Sequence, residues 1–261
     1  MKVVAIVQAR MGSSRLPGKV LRLLNGNTVL ELIHERLSQC RTLDEIIIAT
    51  SLSNNDDAIA EAMERLKIPV YRGDEHDVLD RYYRVASLTM ADVVVRITGD
   101  CPLIDPEIVD AVVDEFVERY PSIRYASNIH PPTFPDGLDV EVFSYDALER
   151  AWKESDSRFE REHVTPFIRG RPHSFPQANI ESTRDYSGLR WTLDEERDYA
   201  FLSALVAKAV EHGIDPMMAS FEHWLDILER NPDLPEIIRD IERNEGSKIV
   251  AGVEVEGGRE P

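Results

Sequence analysis

Cysteine is scarce: Cys40 and Cys101 are the only two among 261 residues, which excludes a disulfide framework and leaves too few thiols for a cysteine-rich zinc site. The seven histidines are scattered without an HExxH pattern, so a structural transition metal is not expected either. No apolar run approaches the ~20 residues a helix needs to cross a bilayer, so no membrane partner is expected. Nor does a longer apolar stretch or a cleavage site follow Met1 and Lys2; a secretory signal is not expected, and a cytoplasmic location is. Net positive charge is missing as well. Thirty basic against 48 acidic residues give a formal charge of −18, which speaks against nonspecific binding to nucleic acid. An anionic ligand must therefore find a local basic pocket. No internal repeat is present.

What is present alternates. Residues 2–8 (KVVAIVQ), 45–50 (EIIIAT), 69–71 (PVY) and 92–98 (DVVVRIT) are short β-branched runs bounded by polar or turn residues, and they read as buried strands. Between them Thr28 and Glu31 make a capping-box pair ahead of Leu32, Ile33 and Leu37, and Asp56-Asp57 opens a helix through Leu66. A third helix spans 76–90, and Asp105-Pro106-Glu107 starts a fourth. Strands alternating with single helices predict an α/β fold: a Rossmann-like, three-layer α/β/α arrangement with a mostly parallel central sheet that binds ligands at the carboxyl ends of its strands.

Residues 120–137 hold five prolines or glycines and read as a long surface loop, suited to a lid. Strands are expected at 138–143, 173–180 and 189–193, helices at 145–154 and 158–169, and mostly helix from 196 to 243. The expected organisation is a single domain over 1–243, with an insert around 120–185, and a tail over 244–261 whose composition is that of a frayed end.

The first βα connection concentrates the chemistry. Ala9-Arg10-Met11-Gly12-Ser13-Ser14-Arg15-Leu16-Pro17-Gly18-Lys19 leaves a strand and enters a helix, where phosphates bind in such sheets. Gly12 and Gly18 let backbone approach an anion, Ser13 and Ser14 can donate hydrogen bonds, and Arg10, Arg15 and Lys19 supply charge. The loop is neither a Walker A motif nor GxGxxG. The competing reading is a polar turn with solvated arginines.

Ala9-Arg10 with Ser14-Arg15-Leu16-Pro17-Gly18-Lys19 resembles the signature loop of the CMP-sugar synthetase superfamily, which includes the CMP-Kdo and CMP-acylneuraminate synthetases. The closest resemblance is to spore-coat polysaccharide cytidylyltransferase-like proteins. It extends in matching order to Tyr71-Arg72-Gly73-Asp74 with Asp80-Arg81, to Gly99-Asp100-Cys101-Pro102-Leu103-Ile104, and to Thr192-Leu193-Asp194 with Asp198, covering roughly residues 2–200. The resemblance implies a nucleotidyltransferase that couples CTP to an acidic sugar, ulosonic or nonulosonic, for surface polysaccharide synthesis. It also implies Mg²⁺ held by Asp100 and Asp194, and a homodimer. Ala9, Arg10, Gly12, Ser13, Arg15, Lys19, Arg72 and Arg81 fall at nucleotide-binding positions, with Arg15, Lys19, Asp100 and Asp194 expected to be catalytic. Asp139, Glu141, Glu162 and His163 fall in segments resembling the acceptor site. Cys101 departs from the glutamate common in CMP-Kdo synthetases, which weakens an assignment to Kdo itself.

Each residue also has a plainer reading. Asp100 could cap the turn after its strand, and Asp194 could cap the helix starting near 196, where Glu195, Glu196 and Asp198 complement the macrodipole. Arg72 and Arg81 could be solvated. Strand alternation would put Asp139 and Glu141 on one face, toward either sugar hydroxyls or solvent at a sheet edge, and His163 could be a packing residue. A nucleotide-sugar-dependent glycosyltransferase and a noncatalytic nucleotide-binding module are the alternative functions.

Overall fold

The computed structural model describes residues 1–241, so the tail expected at 244–261 lies outside the described residues. In chain order the elements are β1 (Val3–Gln8), a hairpin of β2 (Leu23–Leu24) and β3 (Asn27–Thr28), α1 (Val29–Leu37), β4 (Glu45–Ser51), α2 (Asp57–Leu66), β5 (Val70–Gly73), α3 (Val78–Thr89), β6 (Val93–Thr98) and α4 (Pro106–Arg119). They continue with β7 (Tyr125–Ser127), β8 (Glu141–Ser144), α5 (Tyr145–Glu154), α6 (Arg158–His163), α7 (Pro166–Arg169), β9 (Gln177–Asn179), α8 (Glu196–Glu211) and α9 (Phe221–Arg230).

The seven-stranded sheet runs β5-β4-β1-β6-β8-β7-β9, and β8 lies antiparallel to both its neighbours while the other pairings are parallel. Period-two alternation divides each central strand between two cores. Val3, Ala5 and Val7 of β1 join α1, α2, α4, α8 and α9 on one face, whereas Val4 and Ile6 join α3, α5 and α7 on the other. The mostly parallel, three-layer sheet predicted from the alternation is thus what forms. No helix among the described residues is long and apolar enough to cross a membrane.

The second half departs from the sequence pattern in particular places. Within the stretch read as a loop, Tyr125, Ala126 and Ser127 form a buried strand. It is too short to show a period, and prolines on both sides conceal it. The strand expected at 138–143 begins only at Glu141, because the Asn128 side chain supplies the preceding backbone bonds: its Nδ2 donates to Leu138 O at 2.7 Å and its Oδ1 accepts from Val140 N at 2.8 Å. The helix expected at 158–169 breaks at Val164, where φ is +70°. Residues 189–193 contribute an isolated bridge, Asp136 with Arg190, in place of a full strand.

Two close backbone approaches shape the carboxyl end of the sheet. A Cβ on Gly99 would lie 2.8 Å from Gln8 O, so the turn after β6 can sit against the end of β1 only with glycine there. At Gly137, with φ +107°, a Cβ would stand 2.6 Å from both Thr192 N and Trp191 C. That contact, with Trp191 N donating to Asp136 O at 2.6 Å and Leu193 N to Asp100 O at 2.8 Å, brings residues 190–194 against the carboxyl end of β6. Arg36, buried on α1, ties the same end to the 216–219 segment by donating to Ile104 O at 2.7 Å, Pro216 O at 2.8 Å and Ala219 O at 2.7 Å. Burial lowers its pKa to about 10, which leaves it charged at neutral pH.

Gly137→Ala combines a disfavoured φ with a backbone overlap, and should cost about 3 kcal/mol in urea unfolding. A loss below about 0.5 kcal/mol would mean that the 137 and 191–192 backbones are not in contact.

Candidate active site

The loop after β1 is pinned at its base and open at its tip. Ala9 N donates to Ala49 O at 3.1 Å, Met11 N donates to the buried Asp56 Oδ1 at 2.7 Å, and Met11 O accepts from both Ser13 N and Gly18 N at 2.9 Å. Gly18, at φ +71°, makes the reversal, and Leu16 plugs the core beneath. Arg10, Gly12, Ser14 and Arg15 are left exposed, and Ser13 Oγ accepts from Leu16 N at 3.3 Å. A 3-10 turn at Lys19–Leu21 then directs Lys19 inward.

There the Lys19 ammonium meets two carboxylates from remote parts of the chain: Asp100 Oδ2 at 2.7 Å and Asp194 Oδ1 at 2.9 Å. Asp194 Oδ2 is held from outside by Arg15 at 3.1 Å and from beneath by Arg190 at 3.1 Å. Arg190, only 6% exposed, also pairs with Asp136 at 3.0 Å and with Asp198 at 2.8 Å. Asp198 Oδ2 accepts from Asp194 N at 2.8 Å and Glu195 N at 3.0 Å, and Glu196 pairs with Arg22. Glu195, the N-cap of α8, and Asp198 between them satisfy the helix start, so the Asp194 side chain is turned to Lys19 and Arg15 instead. Sequence reasoning misses Arg190, although its spacing of four and eight residues from Asp194 and Asp198 is a signal that could have found it.

The electrostatics follow from this geometry. Burial alone would raise the Asp100 pKa; the Lys19 charge and hydrogen bond, with a further bond from Thr98, reverse that and hold it at about 2. Burial would likewise discharge Lys19, yet Asp100 and Asp194 raise its pKa instead. Among the described residues no cluster of three or more His, Cys, Asp or Glu side chains could hold a metal ion. The convergent carboxylates are a pair.

The remaining predicted residues divide. Arg72 donates to Ser51 O at 2.9 Å and Ser53 O at 3.0 Å and pairs with Asp57 at 2.7 Å. Arg81 is buried on α3 and donates to Ala49 O at 3.2 Å, the same carbonyl that anchors Ala9, so neither arginine is a solvated surface group. Glu141 corrects the sheet-edge expectation. Strand β8 lies between β6 and β7, and the Glu141 carboxylate is buried, ion-paired to Arg96 and accepting from Tyr125 OH at 2.6 Å. Asp139 precedes that strand, so alternation does not put it on Glu141's face; it lies close enough to Cys101 to help burial and Asp100 raise the thiol pKa.

Glu162 on α6 faces Arg10 across 3.9 Å, which places this helix beside the loop after β1. His163 packs on Phe159 in a tilted arrangement, with ring centres 4.5 Å apart and an interplanar angle of 53°; burial lowers its pKa, and Arg96, Arg169 and Arg10 lower it further against the opposing pull of Glu162. The next residue, Val164, holds φ +70° and ψ −59° while Thr165 N donates to His163 O at 2.8 Å. This is a tight γ-turn at a β-branched residue, a strained conformation kept in place by complete burial of the valine.

A family model described as cytidylyltransferase matches residues 4–230. The chain belongs to the cytidylyltransferase family. This cytidylyltransferase is 37% identical over 239 residues to an uncharacterized protein of Methanocaldococcus jannaschii, with 91% of this chain and 94% of that one covered. It is 32% identical over 241 residues to the spore coat polysaccharide biosynthesis protein SpsF of Bacillus subtilis, covering 88% and 95%. The solved structure of a cytidylyltransferase from Leptospira borgpetersenii superposes with a TM-score of 0.82 at 32% identity, over 93% of this chain and 98% of the other. The mostly parallel sheet with helices on both faces is accordingly that of a nucleotidyltransferase.

Because the folded Asp100 pKa lies below its ordinary 3.8, its contribution to stability is present above about pH 4 and is lost as pH falls toward 2. The raised Lys19 pKa keeps the pair intact on the alkaline side up to its ordinary 10.5. Denaturant unfolding of the native chain and of Asp100→Asn should therefore differ by a constant amount from pH 5 to 9 and converge near pH 2; a difference unchanged at pH 2 would contradict the Lys19 contact.

Proposed function

We propose that this cytidylyltransferase transfers the cytidylyl group of CTP to an acidic sugar, ulosonic or nonulosonic, releasing pyrophosphate and giving a CMP-sugar for surface polysaccharide synthesis. The observation that carries the reading is the meeting of Lys19 and Arg15, from the loop after β1, with Asp100 and Asp194 at one point. In the reaction an acceptor hydroxyl attacks the α-phosphorus in line and pyrophosphate leaves from the opposite side, so negative charge grows on the leaving group. Arg15 and Lys19 are the groups placed to meet that charge. The loop from Arg10 to Ser13, with Ala9 beneath it, would form the floor on which the triphosphate lies, and Arg72 and Arg81 hold the carbonyls at 49, 51 and 53 beside its base.

The donor set fits Mg²⁺, a hard ion commonly bound by one or two carboxylates together with substrate phosphates and water. Asp100 and Asp194 would hold it, since their oxygens already converge on a single cation position. Bound there, Mg²⁺ would polarise the phosphoryl oxygens and acidify the attacking hydroxyl. The acceptor would sit toward α6. Glu162 and His163 line that side, and of the three arginines that act on His163, Arg96 is paired to Glu141 and Arg10 faces Glu162, which leaves Arg169 as the cation suited to a sugar carboxylate.

The decisive measurement is pyrophosphate release with CTP, UTP, GTP and ATP against a panel of ulosonic acids. Release with CTP and an acidic sugar is expected, and release of a nucleotide without pyrophosphate would instead indicate a glycosyltransferase. Asp100→Asn should lower kcat by about 10³-fold with the fold retained, and Lys19→Ala should weaken CTP use by a similar factor while leaving acceptor affinity nearly unchanged. Normal turnover by Asp100→Asn would remove the reading.

A further inference from the structure

Lys19 occupies a demanding position for a residue assigned to phosphate. Its ammonium bonds to both carboxylates at once, at 2.7 and 2.9 Å, with only 11% of the side chain exposed. Two carboxylates this close to one point need a cation between them to remain ionised together. A divalent ion at that point would meet the ammonium as a like charge at contact distance, so the two cannot share it. Asp194 does not depend on Lys19 for its place, because Arg190 is fixed as a planar fork against Asp136, Asp194 and Asp198. Lys19, by contrast, carries its charge on a flexible four-carbon stem.

We propose that Lys19 is the resident counter-ion of Asp100 and Asp194 in the nucleotide-free protein, and that it gives up this position to a divalent cation only as it moves onto the incoming triphosphate. The proposal rests on the reading that the two aspartates hold metal and that Lys19 meets phosphate. It adds an order of events: metal and nucleotide are accepted together, and metal alone is refused. During the exchange every charged group keeps a partner. The aspartates pass from ammonium to metal, the ammonium passes to phosphate, and no ion is left buried alone.

The test follows Mn²⁺ through the electron paramagnetic resonance signal of the free ion, with and without the nonhydrolysable analogue α,β-methylene-CTP. In the native protein the analogue should tighten Mn²⁺ binding at least tenfold, and by reciprocity Mn²⁺ should tighten analogue binding equally. Lys19→Met, which keeps an unbranched side chain one atom shorter and removes its charge, should bind Mn²⁺ without nucleotide about tenfold more tightly than the native protein, and the double variant Lys19→Met with Asp100→Asn should lose that gain. Thermal melting establishes that the variants are folded. Native Mn²⁺ affinity that is the same with and without the analogue would overturn the proposal without recourse to any variant, as would a folded Lys19→Met that binds no more tightly. If Asp100→Asn and Asp194→Asn leave Mn²⁺ binding to the analogue-bound protein unchanged, the metal assignment itself falls, and the exchange falls with it.

Discussion

The centre of this molecule is one ammonium shared by two carboxylates. Lys19 comes from the loop after the first strand, Asp100 from the turn after β6, and Asp194 from the start of α8, and nothing but the fold brings them together. Half-buried acids at such proximity would repel and protonate without the cation, and a buried lysine without the acids would discharge. Lys19 and Asp100 each keep their charge because an opposite charge lies beside them. The centre is therefore an electrostatic joint between three distant segments of the chain.

The surrounding structure keeps that joint from sagging. Arg190 binds three aspartates in the interior, one of them Asp194 and another the residue that completes the start of α8, so orientation of the site and capping of the helix are one network. Asp56 does the corresponding service for the loop, accepting from Met11 N and from the Ser51 backbone and hydroxyl. Arg72 and Arg81 reinforce the same edge through the carbonyls at 49, 51 and 53. Much of the polar chemistry near the site thus holds other polar groups still, which is what a reaction driven by positioning requires.

The chain up to about residue 120 is largely legible because its central strands β1 and β6 are buried on both faces and its helices α1 and α4 begin with side-chain caps, at Thr28 and Asp105. There, local chemistry and tertiary environment agree. Beyond residue 120 they part. The strand Tyr125–Ser127 gains its stability from its neighbours in the sheet, the start of β8 is set by the side chain of Asn128, and the break at Val164 is imposed by burial against the preference of valine. Asp100 and Asp194 can be singled out from motif order, and the fold brings both carboxylates onto Lys19. The roles of Arg81 and Glu141 are not legible, since each depends on which remote backbone or charge lies beside a buried side chain, and a single sequence does not record that.

The 175 positions between Lys19 and Asp194 carry a consequence for biosynthesis. A nascent chain emerging from the ribosome can assemble β1, β4, β5 and β6 with α1 to α4 well before residues 190–194 have been made. Until then Lys19 and Asp100 face each other without the third partner, and the bridge from Asp136 to Arg190 has no second half. Closure of the site is necessarily a late, long-range event, whose conformational cost is met after most of the sheet is already in place. An interrupted translation product would carry the loop after β1 already tied to Ala49 and Asp56, yet lack the Arg190 and Asp194 that close around Lys19.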